Sequence, residues 1–205
     1  MNEFDHKANE WDQNPRHIER TKAIASAMAR RLPLSAKMRA LEFGAGTGLL
    51  SFLLKDQFAE ITLMDNSPEM LKMAEKKIEA ENLPNIKTLL LDLETETYRG
   101  TPFDIIFCQM VLHHLRDTRL IVGRLFNLLK KDGILAIADL YPEDGSFHYG
   151  DTNVHFGFDP ETLAPLFIQQ GFGNIGIAPC CTLRKATETG QMREYPMFLL
   201  TAFRQ

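Results

Sequence analysis

Long apolar runs are missing from this chain: nowhere among its 205 residues do hydrophobic side chains follow one another far enough to span a bilayer. The opening Met1-Asn2-Glu3-Phe4-Asp5-His6 has neither the basic start nor the apolar stretch of a signal peptide. A soluble protein that stays in the cytoplasm, with no membrane partner, is the expectation. Basic runs are missing too. Nothing exceeds the pairs Arg30-Arg31, Lys76-Lys77 and Lys130-Lys131, and the net charge is −4, which argues against a nucleic-acid footprint and for a small-molecule partner. Cysteine is scarce. Cys108, Cys180 and Cys181 show no Cys-x-x-Cys spacing, and adjacent cysteines rarely share one metal or bridge to each other. They read as reduced core thiols, and no metal site is assigned. Tryptophan occurs once, as Trp11, and there is no internal repeat or low-complexity segment.

What is present is enough apolar content, 44%, for one sizeable core, so residues 1–205 are expected to form a single domain. Within an amino-terminal segment 1–37, Ile18, Ala25, Met28 and Leu32 recur at helical spacing and predict an amphipathic helix over 15–32. From residue 38 strand and helix patterns alternate: strand 38–43, helix 47–56, strand 60–64, helix 67–81, strands 86–91 and 103–109, helix 117–130, strand 133–139. Such alternation predicts an α/β fold, a parallel sheet with helices on both faces. Ser67-Pro68 and Asp159-Pro160 are helix starts, with a cap and a proline at the first position, and Gly171 is a helix end. Two strands at about 173–182 and 196–203, joined by the polar stretch Arg184 to Glu194, would close the chain as a hairpin with an antiparallel last strand.

The most informative segment is Leu41-Glu42-Phe43-Gly44-Ala45-Gly46-Thr47-Gly48-Leu49-Leu50, an apolar strand that meets three alternate glycines and runs straight into an apolar helix. A strand-to-helix turn at the carboxyl end of a parallel sheet must reverse tightly and let a ligand approach the backbone, which favours residues without a Cβ. A dinucleotide fingerprint would read Gly-x-Gly-x-x-Gly, but here Leu49 stands where that pattern needs its last glycine. Downstream, Asp65 ends a strand where an open sheet of this type presents an acid to a ribose, and Asp92 ends the next strand beside the same crevice. The buried strand Phe103 to Gln109 then leaves toward the pair His113-His114.

With its preceding acid, Glu42-x-Gly44-x-Gly46-x-Gly48 resembles motif I of the class I S-adenosylmethionine-dependent methyltransferases. The likeness extends to the strand-end acids Asp65 and Asp92, to Phe-Asp-Ile-Ile with Leu-His-His-Leu, to Leu-Leu-Lys-Lys-Asp-Gly-Ile-Leu, and to Gly-Phe-Asp-Pro-Glu with Gln-Gly-Phe. It covers residues 38 to about 172. The resemblance implies a three-layer Rossmann-like sandwich whose seven-stranded sheet has the order 3-2-1-4-5-7-6, strand 7 being antiparallel. It also implies S-adenosylmethionine as cofactor, with S-adenosylhomocysteine as product. Cofactor contacts are implied at Glu42, Gly44, Ala45, Gly46 and Gly48, at Asp65 and Asn66 on the ribose edge, at Asp92 and Leu93 on the adenine, and at Gln109. The segment Phe4 to Asp12 looks like the family's amino-terminal lid, which makes Trp11 a lid residue over the cofactor. The chain departs from part of the family in having no Asn/Asp-Pro-Pro-Tyr after the fourth strand, so methylation of base or glutamine amino groups is not expected. It also shows no catechol-type set of metal-binding aspartates, although Asp139 ends the fifth strand.

Methyl transfer from a sulfonium is an in-line displacement, so orientation is the main catalytic task, and a base is needed only if the acceptor must lose a proton early. His113 and His114 are the candidate catalytic residues. The loop 141–158 leaves the fifth strand on the acceptor side, with Gly145, Gly150 and Gly157 as hinges and Tyr141, His148 and His155 as candidate substrate contacts. An NAD(P)-dependent oxidoreductase, or a non-catalytic S-adenosylmethionine-binding protein, would share the same sheet. The acceptor atom and the oligomeric state are not readable from these residues.

Overall fold

Strands β1 (Arg39–Phe43), β2 (Glu60–Asp65), β3 (Ile86–Leu90), β4 (Phe103–Gln109), β5 (Leu129–Leu140), β6 (Phe172–Ala186) and β7 (Met192–Arg204) form one sheet in the order β3-β2-β1-β4-β5-β7-β6. The coordinates are a computed structural model that describes residues 4–149 and 151–205. Met1, Asn2 and Glu3 of the chain start and the expected hinge Gly150 lie outside the described residues. Strands β1 to β5 pair in parallel, while β7 runs antiparallel to both β5 and β6. This is the doubly wound α/β sandwich that the sequence resemblance implies.

The helices are α1 (Ala8–Trp11), α2 (Pro15–Arg31), α3 (Leu49–Leu54), α4 (Pro68–Ala80), α5 (Thr118–Leu128) and α6 (Pro160–Gln169). Each face of the sheet is covered because neighbouring strand residues point to opposite sides. Ile105 and Phe107 of β4 pack with Ile24 and Met28 of α2, Leu50 of α3 and Ala74 of α4. Their neighbours Ile106 and Cys108 pack on the other side with Ile121 and Leu125 of α5 and Phe167 of α6. Burying one such large side chain contributes about 1.5–3 kcal/mol, so the two clusters fix the layers. The caps read from sequence are made: Ser67 Oγ accepts from Met70 N at 3.2 Å, and Asp159 Oδ1 accepts from Glu161 N at 3.0 Å.

Three boundaries differ from the sequence expectation. The helix expected over 47–56 begins at Leu49, because Gly48 caps it with φ 81°, and it tightens to a 3-10 turn at Lys55–Gln57. The helix expected over 117–130 stops at Leu128, and β5 starts at Leu129 rather than residue 133, since Leu129 pairs with Phe103 across a bulge before Ile105. The polar stretch Arg184 to Glu194 is mostly ladder: Arg184 pairs with Glu194, Lys185 with Arg193 and Ala186 with Met192. Polarity there reflects a hairpin projecting past the sheet into solvent, with Arg184 and Glu194 in an ion pair at 2.8 Å.

Candidate functional site

The strand order reverses between β1 and β4, and in an open parallel sheet that switch point leaves a crevice at the carboxyl ends of the strands. The loops after β1, β2, β3 and β4 all open there, onto a cavity of about 1310 Å³. Typical single-ligand pockets hold about 300–1,000 Å³, so this one has room for two reactants.

At one end the glycine loop is shaped from both sides. Gly44 has φ 64°, and a Cβ on it would lie 2.5 Å from Val111 Cγ2, so the loop after β4 presses on it and allows no side chain. Gly46 has φ 55°, but a Cβ there would meet only Met70 Sδ, at 3.9 Å. The space beside Gly46 is therefore open on the cavity side, room that a ligand can use. Asp65 receives Gly46 N on Oδ2 at 2.6 Å and Ser67 N on Oδ1 at 2.8 Å, and burial raises its pKa. Asp92 accepts from Glu94 N at 2.9 Å, and Gln109 Oε1 is buried on the cavity wall without a hydrogen-bond partner.

The amino-terminal segment is docked across this end. Thr47 Oγ1 donates to Asp12 Oδ1 at 2.5 Å, Lys77 pairs with Asp12 Oδ2 at 2.6 Å, and Ser67 Oγ donates to Asp5 Oδ1 at 2.6 Å. Trp11 lines the cavity with its ring 4.2 Å from that of His17, whose pKa burial pushes down to about 4, with Arg20 adding to the shift.

At the other end three histidines converge. A 3-10 turn, Leu112–His114, follows β4 and carries His113 and His114, and a second one, Ser146–His148, brings His148 opposite them. Ring centroids are 4.2 Å apart for His113 and His114, 5.0 Å for His113 and His148, and 5.1 Å for His114 and His148. His113 and Asp139 are both fully buried, and His113 Nδ1 lies 2.6 Å from Asp139 Oδ1. A carboxylate accepts, so Nδ1 carries the hydrogen, and Nε2 has no hydrogen-bond partner. Burial, reinforced by the neighbouring imidazoles, lowers His114 to about 3 and His148 to about 4. Both are therefore neutral near pH 7. Lys185 fixes the second turn by donating to Phe147 O and lying 4.5 Å from the Phe147 ring and 4.2 Å from that of Tyr149.

A family model described as a methyltransferase domain matches residues 34–165. The chain belongs to the class I methyltransferase family. Its cofactor is S-adenosylmethionine, and the open side of Gly46, the strand-end acids Asp65 and Asp92 and the orphaned Gln109 amide oxygen fit such a ligand. The chain is 36% identical over 121 residues to a trans-aconitate 2-methyltransferase of Methylobacterium radiotolerans, covering 58% of this chain and 44% of that protein. It spans about half the length of the curated relatives it matches. In fold it is similar to YcgJ of Bacillus subtilis, with TM-score 0.74, 17% identity and coverage of 90% of this chain and 99% of that one. It is also similar to the N-methyltransferase NodS of Bradyrhizobium japonicum in complex with S-adenosylhomocysteine, with TM-score 0.70, 17% identity and coverage of 95% and 90%.

Within this methyltransferase domain the residues named from sequence divide by depth. Trp11, Gly44, Ala45, Gly46, Asp65, Asn66, Asp92, Leu93, Gln109, His113, His114 and His148 line the cavity. Glu42 and Gly48 stand behind the loop. Glu42 Oε2 accepts from Ser51 N at 3.1 Å and from Ser51 Oγ at 2.5 Å, which ties β1 to α3. Of the residues expected to read the substrate, Tyr141 turns away to pack edge-on against Phe198 at 5.4 Å. His155 is exposed. Its backbone N–H donates to His113 O at 2.8 Å and its Nε2 lies 3.1 Å from Leu115 O, so it braces the histidine turn from behind. Arg20, Lys185 and the Asp139 partner of His113 went unrecognised in the sequence; only the position of Asp139 at a strand end offered a signal.

Proposed function

We propose that the protein transfers a methyl group from S-adenosylmethionine to a small anionic acceptor, which lies between α2 and the turn Ser146–His148. Arg20 carries this reading. Its Nε is shut off from solvent with no hydrogen-bond partner, no carboxylate among the described residues forms an ion pair with it, and burial lowers its pKa to about 10. A partly buried guanidinium with no carboxylate paired to it is costly, since Asp139 supports its charge without bonding to it, and its fork of donors matches a carboxylate or phosphate. Lys7, Arg16 and Lys185 line the same cavity, and Lys185 is lowered by burial and by repulsion from Arg16. The trans-aconitate relative is itself named for an anionic acceptor.

When bound, the cofactor supplies an electrophilic methyl on sulfur. Asp65, the open backbone beside Gly46 and Gln109 would hold it, and the docked segment Phe4 to Asp12, with Trp11, would cover it and exclude water. Arg20 orients the acceptor, and holding the reacting atoms ~3–3.5 Å apart supplies about 7–11 kcal/mol. The His113 Nε2 lone pair can take the acceptor's proton, with Asp139 stabilising the resulting imidazolium. Such a base adds about 10²–10⁴-fold. Burial lowers His114 to about 3, which disfavours it as that base. Three unpaired thiols accord with a cytoplasmic setting, and no helix among the described residues is long and apolar enough to cross a membrane.

The test is a screen of small carboxylic and phosphorylated acceptors that detects S-adenosylhomocysteine release, repeated with Arg20→Ala and Arg20→Lys. A rise in KM of at least tenfold for Arg20→Ala, partly restored in Arg20→Lys, is expected. Turnover confined to neutral acceptors, or an unchanged KM, refutes the anionic assignment.

A further inference from the structure

We infer that His113, His114 and His148 form a binding site for one divalent transition-metal ion of the zinc class, with its open coordination position facing the acceptor end of the cavity. One ring nitrogen from each histidine lies within 4.8 Å of the others. In a tetrahedral zinc site with Zn–N of about 2.0–2.1 Å, neighbouring nitrogens are ~3.4 Å apart. The rings therefore need to draw in by roughly 1 Å, which side-chain rotation in the half-buried His114 and His148 provides.

Three independent features point the same way. The three rings come from two separate turns yet face one point, so local chain geometry alone does not explain their convergence. His113 Nε2 and His148 Nε2 are buried donor atoms with no hydrogen-bond partner. A fully buried polar atom left unpaired is costly, and a metal–nitrogen bond removes that cost. His113 Nδ1 rests on the buried Asp139 carboxylate, the arrangement in which a carboxylate fixes the tautomer and ring plane of a ligating histidine.

The surrounding charges are mixed. Asp139 favours a cation, while Lys7 and Lys185 oppose it through their effects on His114 and His148. Three neutral imidazoles suit zinc, iron, nickel or copper rather than magnesium or calcium, which prefer oxygen ligands. Three protein ligands leave the fourth position of a tetrahedral ion for water or for an acceptor oxygen, nitrogen or sulfur. Asp139 acts here as a positioning residue. The inference deepens the proposed function at its acceptor end: with an ion bound, the His113 lone pair is a ligand and no longer the base.

The experiment uses tag-free full-length protein stripped with a chelator, titrated calorimetrically with zinc chloride and, separately, followed by visible absorption as cobalt(II) is added. One equivalent should bind, with the ligand-field bands of tetrahedral cobalt. His148→Ala should abolish those bands, and Asp139→Asn should weaken zinc binding by about 10–100-fold while circular dichroism stays native. Absence of stoichiometric binding to the wild type overturns the site, as does binding that survives His148→Ala unchanged. Titrating the stripped protein with S-adenosylhomocysteine separates the two readings. Cofactor binding and turnover without metal uptake would remove the metal and keep the methyltransferase, whereas metal uptake with no cofactor binding would do the reverse.

Discussion

The two ends of the cavity are built in opposite ways. The cofactor end comes from the loops directly after β1, β2, β3 and β4, which present backbone amides and strand-end carboxylates to the cavity. The acceptor end is gathered from α2, two 3-10 turns and the β6 hairpin, and its side chains include Arg20, Lys185, His113, His114 and His148. The first end can recognise one invariant ligand because the sheet fixes the loops. The second can be altered one side chain at a time without disturbing the sheet, which is how one fold carries many acceptors.

The largest expected effect belongs to the cofactor end. Asp65→Ala removes the proposed ribose acceptor and also the carboxylate that receives Gly46 N and Ser67 N. Hydrogen bonds to a charged group are worth roughly 1.5–3 kcal/mol each, so calorimetry should show S-adenosylmethionine affinity falling about tenfold to several-hundredfold. Zinc binding at the histidines should be unchanged. Equal losses at both ends would break the comparison.

Gly44→Ala should lower stability by about 1–3 kcal/mol through overpacking, because the new methyl meets Val111. Gly190→Ala is the control. That glycine also has positive φ, 81°, but nothing within 4 Å of a Cβ, so only backbone strain remains and a smaller drop in Tm should follow. Equal drops would mean that strain, not the Val111 contact, fixes Gly44.

A third effect depends on pH. Burial raises Glu42 from 4.5 to about 8, with Asp65 adding to the rise and Ser51 and Lys77 opposing it. The folded state then keeps a proton that the unfolded chain releases, so this group's contribution is full below about pH 4.5 and declines up to about pH 8. Glu42→Gln removes that decline. Its Tm should match wild type near pH 4.5 and exceed it by a growing margin toward pH 8, as scanning calorimetry would show. A constant margin would place Glu42 in the ionised state throughout.

What was legible in the sequence follows the same division. Gly44, Gly46, Asp65 and Asp92 could be placed at the crevice because their positions depend on neighbours in sequence and on the ends of strongly patterned strands. Sheet order needed the family resemblance, since periodicity says which residues share a face and not which strands are neighbours. At the acceptor end His113 and His114 were visible as a pair, and His148 as a loop residue, but their meeting is a product of tertiary packing. Arg20 sits on a helix whose exposed and buried faces both contain polar residues, so a buried guanidinium and a solvated one look alike in the sequence. Tyr141 and His155 fall outside the cavity lining for the complementary reason: a loop near a site has two sides, and composition does not say which faces inward.

The smallest expected effect is spectroscopic. Trp11 is the chain's single tryptophan, and it touches Phe4 and His17 beside the cavity. Saturating S-adenosylhomocysteine should shift its emission modestly, with a midpoint equal to the calorimetric constant. A flat signal during demonstrated binding would detach the amino-terminal segment from the cofactor end.

The tethers of that segment have a thermodynamic consequence of their own. Asp5 is held by Ser67, beside Asp65, and Asp12 by Thr47 of the glycine loop and by Lys77. Docking the segment and filling the cavity therefore share the same two loops, and linkage makes their influence mutual. Whatever factor the cofactor contributes to the docked population, docking returns to cofactor affinity. Since the Asp12–Lys77 pair is partly exposed, added salt should weaken it and reduce that shared factor.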